Sequence, residues 1–241
     1  MSDSNAKLLS LGTWLSIGSP VIAELASECG FDWLLFDLEH GCITDAEVLA
    51  NLQAAKREGT KLIVRVGKLD TALIAKLLDW GASGIMLPHV STPEQAEACV
   101  NAMNYPPLGH RGYSSSARVF KYGLDVRTTF APLFLCQIED YEGVTNVEHI
   151  AAVKGVDVLF VGPADLKLDL STRHPHQTMP YEEALKKVSS AADFHQKQAG
   201  ILIRNFSDIT VLKQMGFSCL ALGSDLGLLR EGFIAIKSKF L

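Results

Sequence analysis

Short apolar runs alternate with amphipathic stretches along almost the whole chain. Eight runs rich in β-forming residues predict strands, namely Leu11–Ser16, Trp33–Phe36, Leu62–Val66, Gly84–Leu87, Leu133–Ile138, Val156–Val161, Gly200–Ile203 and Cys219–Leu222. The stretches between and after them predict eight helices, namely Pro20–Cys29, Asp45–Arg57, Thr71–Trp80, Pro93–Met103, Val144–Val153, Tyr181–Gln198, Ser207–Met215 and Asp225–Lys239. Capping signals support the starts: Thr44 with Glu47 forms a capping-box pattern, and Pro93 stands at a first helical position.

Eight strands that alternate with eight helices predict an α/β fold, a (β/α)8 TIM barrel. The strands are continuous apolar runs, as expected of parallel strands covered on both faces. An open doubly wound sheet is the alternative, but no G-x-G-x-x-G follows the first strand. Two connections are long, 104–131 and 165–180, and the second lies at the barrel end where enzymes of this fold hold their active sites. We expect one domain spanning residues 1–241.

The amino-acid composition and charge argue against several classes of protein. The chain has 241 residues and a formal net charge of −5, without a basic run, which argues against nucleic-acid binding. The uncharged stretch Leu8 to Ala23 lacks a basic lead-in and a cleavage site, so neither a signal peptide nor a membrane span is predicted. Five scattered cysteines without a C-x-x-C pair predict reduced thiols in a cytoplasmic protein.

Polar side chains occur where several predicted strands end. In chain order they are Asp37, His40, Arg65, Gln137, Glu139 and Asp165. Glu139 and Asp165 are about one βα unit apart, so adjacent strands can bring their carboxylates together. Two such carboxylates suit a hard divalent cation that keeps open positions for water or substrate.

Each of these side chains also has a purely structural explanation. Asp37 and His40 could be a capping acid and a surface histidine, and Arg65 could form an ion pair inside the barrel. Glu139 could pair with a surface lysine, and Asp165 could cap a helix.

Three further polar features are not assigned to a site. His89 follows the fourth strand and is interpreted as a loop histidine. Lys167 could form a Schiff base, but it is predicted in a polar loop rather than desolvated on a strand. His174-Pro175-His176 predicts a turn rather than a metal-binding tract.

Six motifs in order along nearly the whole chain resemble the HpcH/HpaI aldolases. These are class II, metal-dependent pyruvate aldolases such as 4-hydroxy-2-oxoheptanedioate aldolase and 2-dehydro-3-deoxyglucarate aldolase. The motifs are F-D-x-E-H-G (Phe36 to Gly41), V-R-V (Val64 to Val66), L-L-D-x-G-A (Leu77 to Ala82), Y-P-P-x-G-x-R-G (Tyr105 to Gly112), Q-x-E (Gln137 to Glu139) and G-P-A-D-L (Gly162 to Leu166).

The resemblance implies a carbon–carbon lyase that reversibly cleaves a 4-hydroxy-2-oxo acid to pyruvate, or a close 2-oxo acid, and an aldehyde through a metal-stabilised enolate. It implies that Glu139 and Asp165 bind a divalent cation, Mg²⁺ or Mn²⁺, with Co²⁺ and Zn²⁺ as alternatives. Arg65 would bind the enolate and carboxylate oxygens. His40 would be the acid or base, with Asp37 orienting its imidazole.

The resemblance further implies substrate contacts from Gln137, from the backbone N–H groups of Ala164 and Asp165, and from Leu202. Asp79 would reach the site of a neighbouring subunit in a homohexamer, a trimer of dimers that exchanges C-terminal helices. The last predicted helix has an apolar face suited to such packing, formed by Leu228, Leu229, Phe233 and Ile236.

One departure leaves the substrate open. After G-P-A-D-L the family usually continues S-x-S-x-G, whereas this chain continues Lys167-Leu168-Asp169. Two other functions therefore stay in view. One is another lyase of the same superfamily, acting on an acyl-CoA or citrate-like substrate, and the other is a non-catalytic barrel that binds a 2-oxo acid.

Overall fold

The structure is a computed structural model, and it describes residues 9–55, 58–125, 131–173 and 179–240. Eight parallel strands form a closed barrel in which each strand pairs with the next and the last pairs with the first. They are β1 (Leu11–Leu15), β2 (Trp33–Asp37), β3 (Lys61–Arg65), β4 (Gly84–Leu87), β5 (Leu133–Ile138), β6 (Val158–Val161), β7 (Gln198–Ile203) and β8 (Phe217–Ser224). The predicted (β/α)8 barrel is confirmed.

Helices cover the outside of the barrel. Those within the described ranges are α1 (Pro20–Glu28), α2 (Asp45–Ala54), α3 (Thr71–Asp79), α4 (Pro93–Met103), α5 (Tyr141–Thr145), α6 (Val147–Ala152), α7 (Pro163–Thr172), α8 (Tyr181–Phe194), α9 (Ile209–Gln214) and α10 (Asp225–Ser238). In the ranges described, no helix combines the length and apolarity that crossing a bilayer requires.

The expectation of a loop from residue 165 onward is wrong, because α7 occupies its first part. Pro163 stands at the first turn, and Leu166 and Leu170 are the two buried positions of this helix. A single i, i+4 apolar pair gives a weak periodic signal in an otherwise polar segment. His174 and His176 lie outside the described residues.

The predicted helix Val144–Val153 is two helices. The Asp140 carboxylate accepts the N–H of Gly143 and begins α5 earlier than the apolar pattern indicates. Asn146 separates α5 from α6. The predicted end of the second helix, Arg57, lies outside the described residues.

Successive side chains of each strand point to opposite faces of the sheet, and the buried apolar ones form two clusters. One set of side chains packs between barrel and helices, and the other fills the barrel interior, with Trp33, Ile63, Leu135 and Phe160 among its members. With a period of two, the interior positions of β2, β3 and β5 end at Asp37, Arg65 and the neighbourhood of Gln137. The upper end of the barrel interior is therefore polar.

Candidate active site

Asp37 and Arg65 form the most complete ion pair at this end of the barrel. They are direct partners in the register of β2 and β3. The Arg65 guanidinium donates from Nε to Asp37 Oδ1 at 2.9 Å and from Nη2 to Asp37 Oδ2 at 2.8 Å. Both side chains are buried. Such a two-pronged contact fixes the plane of the guanidinium as well as its position.

The remaining contacts of Arg65 fix it further. Its Nη1 lies 2.9 Å from Glu39 Oε2 and 3.5 Å from Gln137 Oε1. The Trp14 ring lies 5.1 Å from the guanidinium carbon, and the Trp14 indole donates to Asp37 at 3.2 Å. A guanidinium has five N–H donors. The hydrogen bonds given for the described residues use three of them, and Nη1 faces Glu39 in an ion pair without hydrogen-bond geometry, so at least one donor remains for a ligand.

Glu139 is the second buried acid, with a side chain that is 1% exposed. Its Oε2 accepts from Gln137 Nε2 at 2.6 Å, and its Oε1 accepts the backbone N–H of His89 at 2.8 Å. Gly162 makes room for it, since a Cβ there would lie 2.2 Å from Glu139 Oε2. The glycine of the G-P-A-D-L motif thus has a steric role.

The two buried acids titrate in opposite directions. Burial acts to raise the pKa of Asp37, but the Arg65 guanidinium and the backbone N–H groups of Glu39 and His40 hold it below its usual range. Burial raises the pKa of Glu139 to about 7; contacts with His89 oppose this shift, and the negative charges of Glu39 and Asp165 add to it. Among the described residues, Glu139 therefore has the His89 imidazole beside it but no guanidinium of the kind that Asp37 has.

In the described residues the backbone of His40, and not its imidazole, contacts Asp37, contrary to the expectation from the sequence. Asp37 Oδ1 accepts the backbone N–H of His40 at 3.3 Å, and both Asp37 oxygens are taken by Arg65. The His40 side chain is 65% exposed, with Nε2 3.9 Å from Glu39 Oε1. The prediction that Asp37 orients this imidazole is corrected, because the cross-strand arginine is the nearer and stronger partner.

Two residues of this cluster were not predicted as site residues, Glu39 and His89. The imidazole of His89 lies between two acids, with Nδ1 3.1 Å from Glu139 Oε1 and Nε2 3.2 Å from Glu39 Oε1. His89 is an exposed loop histidine, as interpreted from the sequence, and its imidazole in addition contacts two acids. Its position directly after a strand was the signal available in the sequence.

The start of α7 faces the same region. Gly162 is its N-cap, and the first intrahelical bond runs from Leu166 to Gly162. The N–H groups of Ala164 and Asp165 therefore precede the hydrogen-bonded part of the helix, the arrangement that binds anions at helix N-termini.

Lys167 lies on α7 rather than in a loop. Its ammonium is 4.6 Å from the Tyr181 ring centre, a cation–π contact beside the outer helices. The side chain is exposed, whereas a Schiff-base lysine is desolvated.

Most of the residues predicted for the active site line one cavity of about 780 Å³. Its lining includes Asp37, His40, Arg65, Gln137, Ala164, Asp165 and Leu202. Glu139 adjoins it through Gln137. Asp79 is elsewhere, since it ends α3 just before β4 begins, at the other end of the barrel, and pairs there with Arg111.

The donor set is suited to a divalent cation. Glu139 is a buried carboxylate with the negative charges of Asp165 and Glu39 nearby and a raised pKa, so bound positive charge would stabilise its ionised form. The described residues offer no set of three or more His, Cys, Asp or Glu side chains arranged to hold a metal ion. A site built on Glu139 and Asp165 alone would keep open positions for substrate or water.

Comparison with known proteins matches this sequence to a family. The family model described as HpcH/HpaI aldolase/citrate lyase matches residues 10–232. The chain belongs to this family. Within the family, class II aldolases generally depend on a divalent metal ion.

Curated relatives of the family are aldolases. The 5-keto-4-deoxy-D-glucarate aldolase of Shigella boydii serotype 18 is 36% identical over 231 residues, covering 94% of this chain and 90% of that protein. The hydroxypyruvate/pyruvate aldolase of Pseudomonas aeruginosa is 36% identical over 239 residues, covering 95% and 88%. The prediction of an aldolase is confirmed at this level.

Solved structures agree with the fold. An HpcH/HpaI aldolase/citrate lyase family protein from Burkholderia cenocepacia J2315 superposes with a TM-score of 0.88 at 30% identity, covering 98% of this chain and 96% of that one. The citrate synthase SbnG superposes with a TM-score of 0.82 at 27% identity, covering 98% and 94%.

Proposed function

We propose that the chain is a divalent-metal-dependent aldolase that cleaves a 4-hydroxy-2-oxo acid to pyruvate, or a close 2-oxo acid, and an aldehyde. The observation that carries this proposal is the buried Glu139, which among the described residues has acids but no arginine or lysine beside it, next to an arginine that Asp37 holds in place. Membership of an aldolase family supports the reaction class.

Glu139 and Asp165 would hold the metal. Mg²⁺ and Mn²⁺ suit a set of carboxylates best, while Co²⁺ and Zn²⁺ are alternatives. A cation bound there supplies Lewis-acid polarisation of the keto oxygen of the substrate. Gln137 would keep the Glu139 carboxylate in place through its 2.6 Å hydrogen bond.

The chain itself would bind the 2-oxo acid at two places. The remaining N–H of Arg65 would donate to oxygen that becomes negative as the carbon–carbon bond breaks. The N–H groups of Ala164 and Asp165 at the start of α7 would hold the carboxylate. Asp37 acts on Arg65, because its two oxygens hold the guanidinium in one orientation.

His40 would move the proton of the 4-hydroxyl group. It lines the cavity and is largely exposed, so an imidazole nitrogen can reach a bound substrate. Leu202, which also lines the cavity, would shape the space for the aldehyde half.

The assembly and the location of the protein belong to the same proposal. We propose one barrel domain over residues 1–241 that forms a homohexamer, a trimer of dimers, by packing α10 on second copies. Phe233, Ile234 and Ile236 of α10 are all more than 60% exposed, which supports burial in an assembly. Asp79 would then approach a neighbour's site. Five unpaired cysteines, two of them exposed, support a reducing compartment such as the cytoplasm.

The direct test is pyruvate release from a panel of 4-hydroxy-2-oxo acids, with and without EDTA. We expect release that EDTA abolishes and Mn²⁺ restores. Unchanged release in EDTA, together with borohydride trapping of a lysine adduct, would exclude the metal-dependent mechanism.

A citrate-like product is a second candidate, favoured by the likeness to citrate synthase SbnG. Offering oxaloacetate with an acyl-CoA and measuring free CoA separates it from the aldolase. A non-catalytic 2-oxo-acid binder would not exchange the methyl protons of pyruvate in a His40-dependent manner, which NMR measures.

A further inference from the structure

His89 links the proposed metal ligand to the substrate-binding arginine. Its imidazole lies 3.1 Å from Glu139 Oε1 on one side and 3.2 Å from Glu39 Oε1 on the other. The second oxygen of Glu39 is 2.9 Å from Arg65 Nη1. A continuous series of charged contacts therefore runs from Glu139 through His89 and Glu39 to Arg65.

The backbone of His89 adds a second contact to the same oxygen. Its N–H donates to Glu139 Oε1 at 2.8 Å, so the backbone and the imidazole of one residue both lie against a single carboxylate oxygen. The residue has φ of +52°, a left-handed conformation that a residue with a Cβ rarely adopts. Val90 next to it donates to the carbonyl of Gln137 at 3.1 Å, which ties this turn to β5.

We propose that His89 is a positioning residue that orients Glu139 for metal binding and, through Glu39, braces Arg65. This inference rests on the proposed metal-dependent function. Hydrogen bonds to a ligating carboxylate fix its orientation before the metal arrives, and their loss typically weakens metal affinity. A strained backbone conformation at a functional site persists where the surrounding contacts hold it in place.

If the role of His89 were only to stabilise the fold, its replacement would lower the unfolding temperature. The exposure and the backbone conformation of His89 argue against such a role. The His89 side chain is 59% exposed and contributes little buried apolar surface. Its left-handed backbone suits glycine better than histidine. Replacing it with glycine therefore removes the imidazole, keeps the backbone N–H in place and relieves strain.

The test compares His89→Gly and His89→Asn with wild type, and His149→Gln on the exposed side of α6 is the matched control. Free Mn²⁺ is measured by electron paramagnetic resonance, so that affinity is read without turnover. We expect His89→Gly to weaken Mn²⁺ binding by about 10–100-fold without lowering the unfolding temperature of the metal-free protein. His89→Asn tolerates the same backbone and supplies an amide donor, so it should recover part of the affinity.

Kinetics at saturating Mn²⁺ separate positioning of Arg65 from positioning of the metal. With the metal restored, the remaining defect of His89→Gly should appear in KM for the 2-oxo acid rather than in kcat, because Glu39 no longer has its second support. The His149→Gln control should match wild type in every measurement.

The outcomes distinguish this inference from the function on which it rests. Wild type that binds Mn²⁺ and is active, alongside a His89→Gly variant with unchanged Mn²⁺ affinity, would overturn the inference and leave the proposed function standing. Wild type that binds no Mn²⁺ would overturn both.

Discussion

Asp37 and Glu139 are two buried carboxylates at the same end of one barrel, and they have opposite electrostatic surroundings. Asp37 faces a guanidinium that contacts both of its oxygens, and its pKa lies below the usual range. Glu139 accepts neutral and imidazole donors and faces further acids, and its pKa rises to about 7. In the part of the chain that the structure describes, an arginine pairs with Asp37 and none pairs with Glu139.

This difference separates a scaffold from a binding position. Charges buried without a partner are costly, so a fold that retains one commonly uses it. The Asp37 half of the site, Asp37 with Arg65, has its charges paired without a ligand. The Glu139 half, Glu139 with Gln137, would be stabilised by a bound cation. Five predictions test this contrast, in order of their expected effect on the free energy of unfolding.

Replacing Arg65 should have the largest effect. Arg65→Ala would leave Asp37 and Glu39 buried without their cation, a change that typically costs about 3–5 kcal/mol. Urea unfolding measures it, with the exposed Arg230→Ala as control. A loss as small as that of the control would show that the Asp37 half is not completed by Arg65.

Replacing Glu139 should change the pH dependence of the metal-free protein. Its pKa rises from 4.5 to about 7 on folding, so the folded state binds the extra proton in between, and stability falls as pH rises through this window. The difference is about 3 kcal/mol by linkage. Glu139→Gln should remove this fall, which chemical unfolding at pH 5 and pH 8 measures.

For Asp37 we predict the opposite change of stability with pH, which provides the comparison with Glu139. A lowered pKa contributes stability at neutral pH that is lost as pH falls through the folded-state value. If both Asp37→Asn and Glu139→Gln changed the pH profile in the same direction, the two halves would not differ as described.

Adding a methyl group at Gly162 should have a smaller effect. The Cβ of Gly162→Ala would lie 2.2 Å from Glu139 Oε2 and 2.8 Å from Gln137 Nε2, so these side chains must move. Overpacking of this kind costs about 1–3 kcal/mol, and Mn²⁺ affinity should fall with it. Gly112→Ala is the control, because nothing lies within 4 Å of its Cβ. Equal behaviour of both variants would contradict the cradle assigned to Gly162.

Replacing His40 should have the smallest effect on folding. Its side chain is 65% exposed, so His40→Ala should change stability by no more than about 0.5 kcal/mol. Turnover should nevertheless fall by about 10²–10⁴-fold if the imidazole is the acid or base. Full turnover in this variant would show that a group other than His40 transfers the proton.

The sequence predicts the barrel and the residues of its polar end for a simple reason. Strand ends of a parallel barrel converge, and a period of two brings Asp37, Arg65 and the region of Gln137 to its interior. Those positions depend on local pattern and strand count alone.

Contacts that depend on register or on unusual backbone were not predicted. Asp37 is three residues from His40 in sequence, but β2–β3 register places it opposite Arg65. His89 contacts Glu139 from a backbone with positive φ, a conformation that the sequence pattern does not indicate. The helix α7 was missed because its buried face is only Leu166 and Leu170.

The central claim is that Glu139 and Asp165 bind the divalent cation beside a braced Arg65. Crystals soaked with Mn²⁺ and pyruvate, measured with anomalous scattering, test it directly. We predict one strong anomalous peak in contact with both carboxylates and with the pyruvate oxygens. A peak that contacts neither carboxylate, or pyruvate bound at Arg65 with no metal peak, would contradict it.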